Sequence, residues 1–477
     1  MTAEQLRNSI LQEAISGRLV PQDPNDEPAS ALLARIREEK ARLVKEGKLK
    51  KKDLVETPIT EEEIPFEIPE SWKWLRYQDI ADCALGKTKN PNQTDGELCP
   101  YLCSINVYWD SVRLNVLKEM LFSDTDKQKY SVENGDMLIC EGGEAGRSAI
   151  YEGDVTPLYY QNALHRVRFY GHLCAKFYLY QMELYKKTGL LNEHIKGETI
   201  QHFVSTKLLN LPIPLPPLAE QKRIVAKLEE LLPIVEQYGK AQTELDELNA
   251  ALPTRLRQSI LQEAIQGKLV PQDENDEPVD ILFNRIQEEK LKLIKQNIIR
   301  KKEAVINAVK EDEIPFDIPS SWKWCHLEEL VAILDGYRKP VSKHDREVGT
   351  YPYYGANGVL DYVRDYIFDG EYLLVGEDGS VITSYGNPIV NKASGKIWVN
   401  NHAHVLQECG KLGYYDYLFY ALQAISIKKY IHGFMPKYSQ GDLRKTIIPL
   451  PPLAEQQRIV AKIEELFAEI DKLQANN

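Results

Sequence analysis

Two stretches of the chain place apolar residues at alternating intervals of four and three positions, or at sums of these intervals. Residues three and four apart share one face of a helix, so this spacing predicts long helices with a coiled-coil seam. The first seam follows the proline-rich segment 214–217 and comprises Ile224, Leu228, Leu231, Val235, Tyr238, Leu245 and Leu252. The second comprises Ile459, Ile463, Leu466, Ile470 and Leu473.

Prolines and glycines predict where these helices end. We expect one long helix from Leu218 to about Ala251, which Pro233 kinks or restarts because proline lacks a backbone N–H. Two short helices are expected, one from near Glu4 to Gly17 and one from near Thr254 to Gly267. The seams fit either ordinary core packing or a dedicated pair of long helices, and their presence in two copies favours the pair.

Short apolar segments bounded by turn residues predict strands between the helical stretches. The predicted strands are 101–107, 136–140 and 164–169 in the first stretch, and 372–375, 380–383 and 396–399 in the second. Glycine-rich turns at 142–147 and 376–379 separate them. The mixture of helices and strands predicts an α+β fold with two mixed α/β domains.

The chain also repeats itself. Residues 6–40 recur at 256–290, with 25 of 35 positions identical. The segment IPFEIPESWKW at 64–74 returns as IPFDIPSSWKW at 314–324. A further helical block, which starts at Ile213, returns at Ile448.

The duplicated blocks frame two stretches that barely resemble each other, so the chain consists of one design used twice. All nine histidines and all seven cysteines fall within the two variable stretches. The predicted segments are helical 1–63, variable domain 64–212, helical 213–313, variable domain 314–447 and helical 448–477.

Charge and composition restrict the function. The 477 residues carry a net charge of −12, which by itself argues against nucleic acid as a partner. The two variable domains contribute only −3 and −1 to this charge, so either domain can still carry a basic face. No apolar run approaches the ~18 residues of a membrane helix, and the cysteines include no C-x-x-C pair. We expect a cytoplasmic protein without a disulfide framework or a zinc ribbon.

Four motifs carry a resemblance to a known family. The most specific are PLPPLAEQxRIVAKxEEL, at Pro214 and Pro449, and IPxxIPxSWKW, at Ile64 and Ile314. A glycine-rich turn follows a Gly-Asp-x-Leu-Ile strand within 135–147, and the second variable domain contains YPYYGANG at 351–358. With these motifs the chain resembles, over essentially its whole length, the specificity subunits of type I restriction–modification systems.

The resemblance implies that each variable domain is a target-recognition domain that reads one half of a bipartite, asymmetric DNA target. It implies long antiparallel coiled-coil-like helices between the domains, a pseudo-twofold arrangement, and two bound adenine-N6 methyltransferase subunits, through which restriction subunits join. S-adenosylmethionine, ATP and Mg would belong to those partners, so no cofactor is expected in this chain. Two identical helical surfaces fit two copies of one partner. The helix residues predicted to bind it are Ile224, Leu228, Leu231, Val235, Ile459, Ile463, Leu466 and Ile470.

Motifs of catalysis are missing from the sequence. An amino-methyltransferase needs an Asn/Asp-Pro-Pro-aromatic segment to hold a flipped adenine, and the segment at Asn387-Pro388 lacks the second proline and the aromatic residue. There is no Walker A sequence, and the glycines at 142–147 are explained by a hairpin turn. We therefore expect a non-catalytic subunit. The resemblance implies that the assembled complex is a DNA adenine methyltransferase and site-specific endonuclease, and whether this complex cuts DNA or only methylates it depends on another subunit.

No metal site is predicted. His402 and His404 share one face of a strand, as two metal ligands would, but no third ligand is recognisable nearby in the sequence. Cys99 and Cys103 are expected to be small buried residues.

Candidate DNA contacts are polar side chains and glycines on the strand-and-turn segments of the variable domains. Asn and Gln suit adenine, Arg and Lys suit guanine, and glycine lets the backbone approach a phosphate. The candidates are Ser104, Asn106, Gly143, Arg147, Asn162 and His165 in the first domain, and Tyr353, Tyr354, Asn357, Glu377, Asn401, His402 and Lys437 in the second. For any single one of them, a role in folding is an equal explanation. The basic triplets at 50–52 and 300–302 are candidates for phosphate contact or partner docking.

Two other functions stay open on the sequence. A non-catalytic, two-headed scaffold that binds protein or glycan would suit the acidity and the 26 tyrosines. A self-sufficient enzyme is the other. The specific repeat blocks count against the scaffold, and the missing motifs count against the enzyme.

Overall fold

The computed structural model describes residues 1–109, 111–155, 157–195, 202–300, 308–379, 381–431 and 436–475. The chain folds into two compact units, Met1–Leu245 and Asp246–Asn477, which we name unit 1 and unit 2. Each unit combines one variable domain with helical segments from both sides of it in the sequence. The division into five segments and the pseudo-twofold relation stay predictions.

Unit 1 has helices both within its variable domain and in the helical segments on either side of it. They are α1 (Ala3–Ile15), α2 (Ala29–Lys45), α3 (Tyr77–Ile80), α4 (Asp124–Lys129), α5 (Ala175–Lys187), α6 (Ser205–Leu209) and the first part of α7 (Leu218–Ile265). The Thr2 hydroxyl accepts a hydrogen bond from the Gln5 N–H and begins α1 with a capping box. Gly17, with φ of +76°, ends it as predicted.

Helix α7 corrects the predicted helix bounds. Two helices were expected, with a break between Ala251 and Thr254, but α7 runs unbroken through 48 residues. Pro233 and Pro253 each remove one backbone hydrogen bond, while the bonds of the neighbouring residues continue the helix. The unit 2 copy of α1 is therefore the last part of α7.

The strands of unit 1 form one isolated pair and two small sheets. They are β1 (Lys73–Arg76), β2 (Ala81–Leu85), β3 (Glu97–Leu102), β4 (Lys118–Phe122), β5 (Met137–Cys140), β6 (Ser148–Ile150), β7 (Tyr159–Tyr160), β8 (Leu164–Phe169) and β9 (Pro212–Leu215). Strand β1 pairs antiparallel with β9, which joins the start of the variable domain to its end. The sheets have the strand orders β2-β8-β5-β6 and β4-β3-β7.

Unit 2 repeats this plan with longer strands. Its further helices are α8 (Val279–Lys295), α9 (Leu327–Leu330), α10 (Tyr415–Ala424), α11 (Gln440–Lys445) and α12 (Leu453–Ala475). Its strands are β10 (Lys323–His326), β11 (Val331–Ile333), β12 (Val348–Gly355), β13 (Gly358–Val363), β14 (Phe368–Gly376), β15 (Val390–Val399), β16 (Ala403–Glu408) and β17 (Ile447–Leu450). Strand β10 pairs antiparallel with β17, as β1 does with β9. Strand β15 pairs with both β14 and β12, so the other described strands of unit 2 form a single six-stranded sheet of order β11-β16-β14-β15-β12-β13. Among the described residues, no helix is long and apolar enough to cross a membrane.

Most of the predicted strands are confirmed. Those at 136–140, 164–169, 372–375 and 396–399 coincide with or lie within β5, β8, β14 and β15, apart from Asp136. The strand at 101–107 is wrong beyond Leu102, because a 3-10 turn follows.

The strand predicted at 380–383 is wrong for its described residues. The Thr383 N–H donates to the Asn387 carbonyl at 2.8 Å, and the Asn387 N–H donates to the Thr383 hydroxyl at 3.2 Å. These two bonds close a turn, which leaves Ile382 with a single bridge to Pro388.

The coiled-coil seams are buried at the ends of the helices that lie next to the variable domains, whereas Tyr238, Leu245, Leu252 and Leu473 of the same seams are exposed. Ile224 and Leu228 are fully buried with residues of α1 and α5, and Ile459 and Ile463 are fully buried in unit 2. Partner binding through the buried seam residues is therefore a wrong prediction, because a partner would have to open the core to reach them. The buried residues of that set are Ile224, Leu228, Val235, Ile459, Ile463 and Ile470. Leu231 and Leu466 are partly buried.

An antiparallel helix pair lies inside each unit. In unit 1 the start of α1 lies against Gly239 of α7, where an added Cβ would stand 2.8 Å from the Cβ of Ala3. In unit 2, Arg257 of α7 pairs with Asp471, near the end of α12. At the other end of each helix pair lies a buried glutamate that is present in both units, Glu220 in unit 1 and Glu455 in unit 2.

In each unit this glutamate connects the helical segments to the variable domain. In unit 1, Glu220 near the start of α7 accepts hydrogen bonds from the Trp72 indole N–H, at 2.9 Å, and from the Gln22 side chain. The equivalent residues of unit 2 are Glu455, Trp322 and Gln272. Burial raises the pKa of Glu220 and that of Glu455, although these hydrogen bonds oppose the shift.

We expect the stability of the fold to fall as pH rises through the raised pKa values of Glu220 and Glu455. The folded chain binds these protons more tightly than the unfolded chain, in which glutamate titrates near 4.5. The stabilisation is thus complete below that pH and is lost above the folded-state pKa. Denaturation midpoints are measured from about pH 4 to pH 8. Their decrease with rising pH should be smaller in the Glu220→Gln/Glu455→Gln variant than in the wild type. The control is Glu230→Gln/Glu465→Gln, at exposed positions, and equal slopes in both variants would contradict the expectation.

Candidate nucleic-acid interface

Three loops meet at one edge of the variable domain of unit 1. The Glu141 N–H donates to the Ala163 carbonyl at 2.9 Å, and the Phe203 N–H donates to the Glu141 carbonyl at 2.7 Å. A bridge between Gly142 and His202 accompanies these bonds. The loops are the turn after β5, the turn before β8 and the segment before α6. We name their meeting point the three-loop edge.

Unit 2 has the same backbone arrangement. The Glu377 N–H donates to the His402 carbonyl at 2.8 Å, and the Tyr438 N–H donates to the Glu377 carbonyl at 2.8 Å. The bridge here joins Asp378 and Lys437. Because the same bonds recur between sequences that differ, the three-loop edge belongs to the shared fold and not to one domain.

A buried histidine holds the third loop in each unit. His165 Nε2 lies 2.6 Å from the Phe203 carbonyl oxygen, and His404 Nε2 lies 2.8 Å from the Tyr438 carbonyl oxygen. A ring nitrogen beside a carbonyl oxygen must donate. Burial lowers the pKa of His165, which is only 1% exposed. The prediction that His165 contacts DNA is therefore wrong, because it lies behind the loop that it holds.

Unit 2 buries a network of charged groups around His404. His404 Nδ1 lies 2.7 Å from Asp335 Oδ2, and Arg338 Nη1 donates to Glu377 Oε2 at 2.6 Å. The Gln440 amide donates to Asp335 at 2.7 Å. Burial raises the pKa of Asp335, but the hydrogen bond from His404 and the charge of Arg338 outweigh it, so this pKa lies below its ordinary value. The network fixes the Glu377 turn to the core.

The same cluster bears on metal binding. The ligand atoms of Asp335, Glu377 and His404 lie within 4.8 Å of one another. The sequence shows no third ligand beside His402 and His404, whereas the fold brings the carboxylates of Asp335 and Glu377, which are distant in the sequence, to His404 alone. Both ring nitrogens of His404 already have partners, and Arg338 pairs with both carboxylates. A cation would have to displace Arg338, and the absence of a metal stays a prediction.

Six of the predicted DNA contacts lie on the three-loop edges. They are Gly143 and Asn162 in unit 1, and Glu377, Asn401, His402 and Lys437 in unit 2. The His402 ring bonds to Asp378, and Lys437 Nζ lies 3.4 Å from Glu377. The side chains of His402 and Lys437 are 51% and 57% exposed, so both can meet a ligand.

Four more candidates lie near these edges. In unit 1, Arg147 Nη2 donates to the Ser104 carbonyl at 2.8 Å. In unit 2, Tyr354 and Asn357 belong to the β12–β13 hairpin, and the Tyr354 carbonyl accepts a bond from the Asn400 N–H at 3.1 Å. DNA contact by these four stays a prediction.

Two candidates are wrong because their side chains are buried. Asn106 is 2% exposed, and its amide donates to the carbonyls of Arg113 and Val116 at 3.0 and 2.8 Å. Tyr353 is 1% exposed, and its hydroxyl bonds to the backbone of Val341. Both side chains satisfy backbone groups that folding removes from water.

His202 and Asp378, on the three-loop edges, were not among the candidates. The signal that could have found Asp378 is a second, gapped repeat: Glu-x-Gly at 141–143 and 377–379, and Asn-x-x-His at 162–165 and 401–404. His202 lies outside both motifs. Its separations of 236 and 239 residues differ from the 250 of the first helical block, which hides the match.

The basic triplets are described only in part. Lys50, Lys51 and Lys52 are exposed, as is Arg300. Lys301 and Lys302 lie outside the described residues. Phosphate contact or partner docking by these triplets stays a prediction.

Known proteins show clear similarity to the chain. Residues 69–245 and 319–477 match the family described as type I restriction modification DNA specificity domain. The specificity subunit of the type I restriction enzyme EcoAI, from Escherichia coli, is 31% identical over 98% of this chain and 90% of its own length. The EcoEI specificity subunit, also from Escherichia coli, is 27% identical over 99% and 90%.

Among solved structures, the HsdS subunit from Thermoanaerobacter tengcongensis covers 86% of this chain and 93% of its own, with 19% identity and a TM-score of 0.44. The family assignment rests on the sequence matches, which support neither a glycan-binding scaffold nor a self-sufficient enzyme. Because the family match includes both variable domains and a 31% identical relative aligns with nearly the whole chain, this protein belongs to the specificity subunits of type I restriction–modification systems.

Proposed function

We propose that each unit reads one half of a bipartite, asymmetric DNA target through its three-loop edge. The observation that carries the proposal is the pair of edges, which share their backbone bonds but present different exposed side chains. Two units that read different half-sites need this combination. The backbone of each edge must be placed in the same way on the DNA, and the side chains that meet the bases must differ. Asn162, Asn401, His402 and Lys437 supply donors and acceptors of the kind that base edges in the major groove can meet.

We also propose that the helical segments dock two adenine-N6 methyltransferase subunits, through which restriction subunits join. The repeated helical blocks suit two copies of one partner. Because Ile224, Leu228, Ile459 and Ile463 are buried, docking falls to exposed helix residues. Helix α7 exposes Ile234, Leu245, Leu248 and Leu252 in the part of the helix that lies between the repeated blocks. Exposed apolar side chains on a helix support a protein partner.

In this proposal the chain recognises DNA and the partners perform the chemistry. Methylation of an adenine requires that the base leave the helix and enter a partner's active site. S-adenosylmethionine, ATP and Mg belong to those partners. The chain decides which adenine is modified, because it sets where the methyltransferase sits on the duplex.

Reconstitution tests the proposal. The chain and the methyltransferase subunit of its own system are incubated with S-adenosylmethionine and DNA from a strain that lacks the system, and the methylated adenines are mapped. We expect one sequence with two constant parts and an unspecific gap. The methyltransferase alone is the control and should leave that sequence unmodified. Methylation without sequence preference, or binding of a protein or glycan in place of DNA, would refute the proposal.

The isolated chain is expected to bind its DNA target weakly at physiological salt. Tight binding needs Lys and Arg at phosphates, where they release counterions, and this chain carries a net charge of −12. Adding the methyltransferase should raise the affinity by roughly 10-fold or more. Gel-shift titrations at several salt concentrations measure the effect, with a duplex lacking the target as control. Nanomolar binding by the isolated chain would show that the basic surface does not come from the partner.

A further inference from the structure

The two three-loop edges differ at three equivalent positions. The pairs are Gly142 with Asp378, Ala163 with His402, and His202 with Lys437. Their equivalence follows from the shared backbone bonds, since the Ala163 and His402 carbonyls accept the same hydrogen bond and the other two pairs form the same bridge. Neighbouring residues on the two edges are instead identical and so cannot distinguish the half-sites. They are Glu141 and Glu377, Asn162 and Asn401, and His165 and His404.

In unit 1 only one of the three positions carries a functional group. Gly142 and Ala163 are small, so a base edge can approach the backbone there. His202 Nδ1 lies 3.0 Å from the Glu141 carboxylate, and the side chain is 47% exposed. Of the two ring nitrogens of His202, only Nδ1 has a hydrogen-bond partner among the described residues, so Nε2 can meet a ligand.

In unit 2 all three positions carry functional groups. The Asp378 carboxylate holds His402 Nδ1, which leaves His402 Nε2 for a ligand. The Lys437 ammonium has Glu377 beside it and is more than half exposed. An ammonium only donates hydrogen bonds, and guanine presents two acceptors, O6 and N7, in the major groove.

We propose that these three pairs of positions set the base preference of each unit. Lys437 and His402 contact base edges in the half-site of unit 2, and Lys437 reads a guanine. His202 has the corresponding role in unit 1. The inference rests on the proposed DNA recognition and adds which residues distinguish the half-sites. A lysine that contacts only phosphate would instead affect all sequences alike.

The test builds the unit 1 residues into unit 2. The Asp378→Gly/His402→Ala/Lys437→His variant, in complex with the methyltransferase, is titrated with duplexes in which each base pair of the target is changed in turn. We expect discrimination at one or two base pairs of a single half-site to change by roughly 10- to 100-fold, with the other half-site unaffected. The control is Lys411→Gly, which removes a lysine beyond the opposite end of β16, at a φ of +53° that glycine adopts freely. It should leave every preference unchanged.

The outcomes separate the two proposals. A wild-type complex that does not discriminate among the duplexes refutes the proposed function itself. If the wild type discriminates, then unchanged preferences in the triple variant, or an equal loss at every base pair, overturn the base-reading role. Should the triple variant unfold, the single variants Lys437→Ala and His402→Ala decide the question, because both side chains are exposed. At least one must lose discrimination within one half-site only, and a failure of both to do so overturns the inference.

Discussion

A chain in which residues 314–447 replace residues 64–212 is expected to direct methylation to a target that contains one half-site twice. The half-site read by unit 1 should disappear, and that read by unit 2 should occupy both positions. This is the largest change of specificity that the fold predicts, because every base contact of one unit is exchanged. Adenine methylation mapping of the reconstituted complex measures it.

The exchanged domain should fit because both units hold their variable domain by the same contacts. Buried Lys40 of α2 donates to the Gln78 carbonyl at 2.9 Å, and its copy, buried Lys290 of α8, donates to the Glu328 carbonyl. The glutamate–tryptophan bond at the start of the following helix is also present twice, at 2.9 Å in both units. The helical segments of both units therefore offer the same hydrogen-bonding groups to the variable domain that they hold.

The reverse exchange, with 64–212 in place of 314–447, is the matched control. It should produce the other half-site twice, and thermal melting of both chains shows that each is folded. If either folded chain still methylated the original two-part target, the proposal that each unit reads one half-site would be wrong.

The His404→Ala variant is expected to lose about 3 kcal/mol of unfolding free energy, because truncation of a buried side chain removes hydrogen bonds from buried polar groups. His404 is fully buried between the Asp335 carboxylate and the Tyr438 carbonyl. Removing the ring leaves a buried carboxylate with fewer donors and frees the segment before α11. The loss should therefore be confined to unit 2.

Denaturant titration gives the total effect, and amide hydrogen exchange in β16 and α11 locates it. The control is His402→Ala, two residues away but exposed, which should change stability by no more than about 0.5 kcal/mol. An equal effect of the two substitutions would mean that the buried network does not stabilise the unit.

The helical parts of the fold followed well from the sequence, because their signals are local. Spacing of apolar residues, the cap at Thr2 and the glycine at Gly17 act within a few positions of the chain. The prediction of a helix break near Thr254 was wrong, because a single proline does not decide whether a helix ends. Proline costs a helix one bond, and whether the helix continues depends on all the residues that flank it.

The binding candidates were harder to judge, since a polar residue beside a glycine can serve a partner or the fold. Asn106, His165 and Tyr353 serve the fold, and their burial separates them from exposed His402 and Lys437. No sequence pattern distinguishes these cases, because the same donors and acceptors suit a base edge and a backbone carbonyl.

The sequence by itself determined that this protein is one design used twice, with repeated helices around two divergent domains and with the motifs of its family. The tertiary structure alone decided which seam residues are buried and which residues share an edge. His202 reaches Glu141 across 61 positions of sequence, and His404 reaches Asp335 across 69. Such contacts depend on how several strands and loops pack together, and burial of the apolar core fixes that packing without a local signal at the residues that meet.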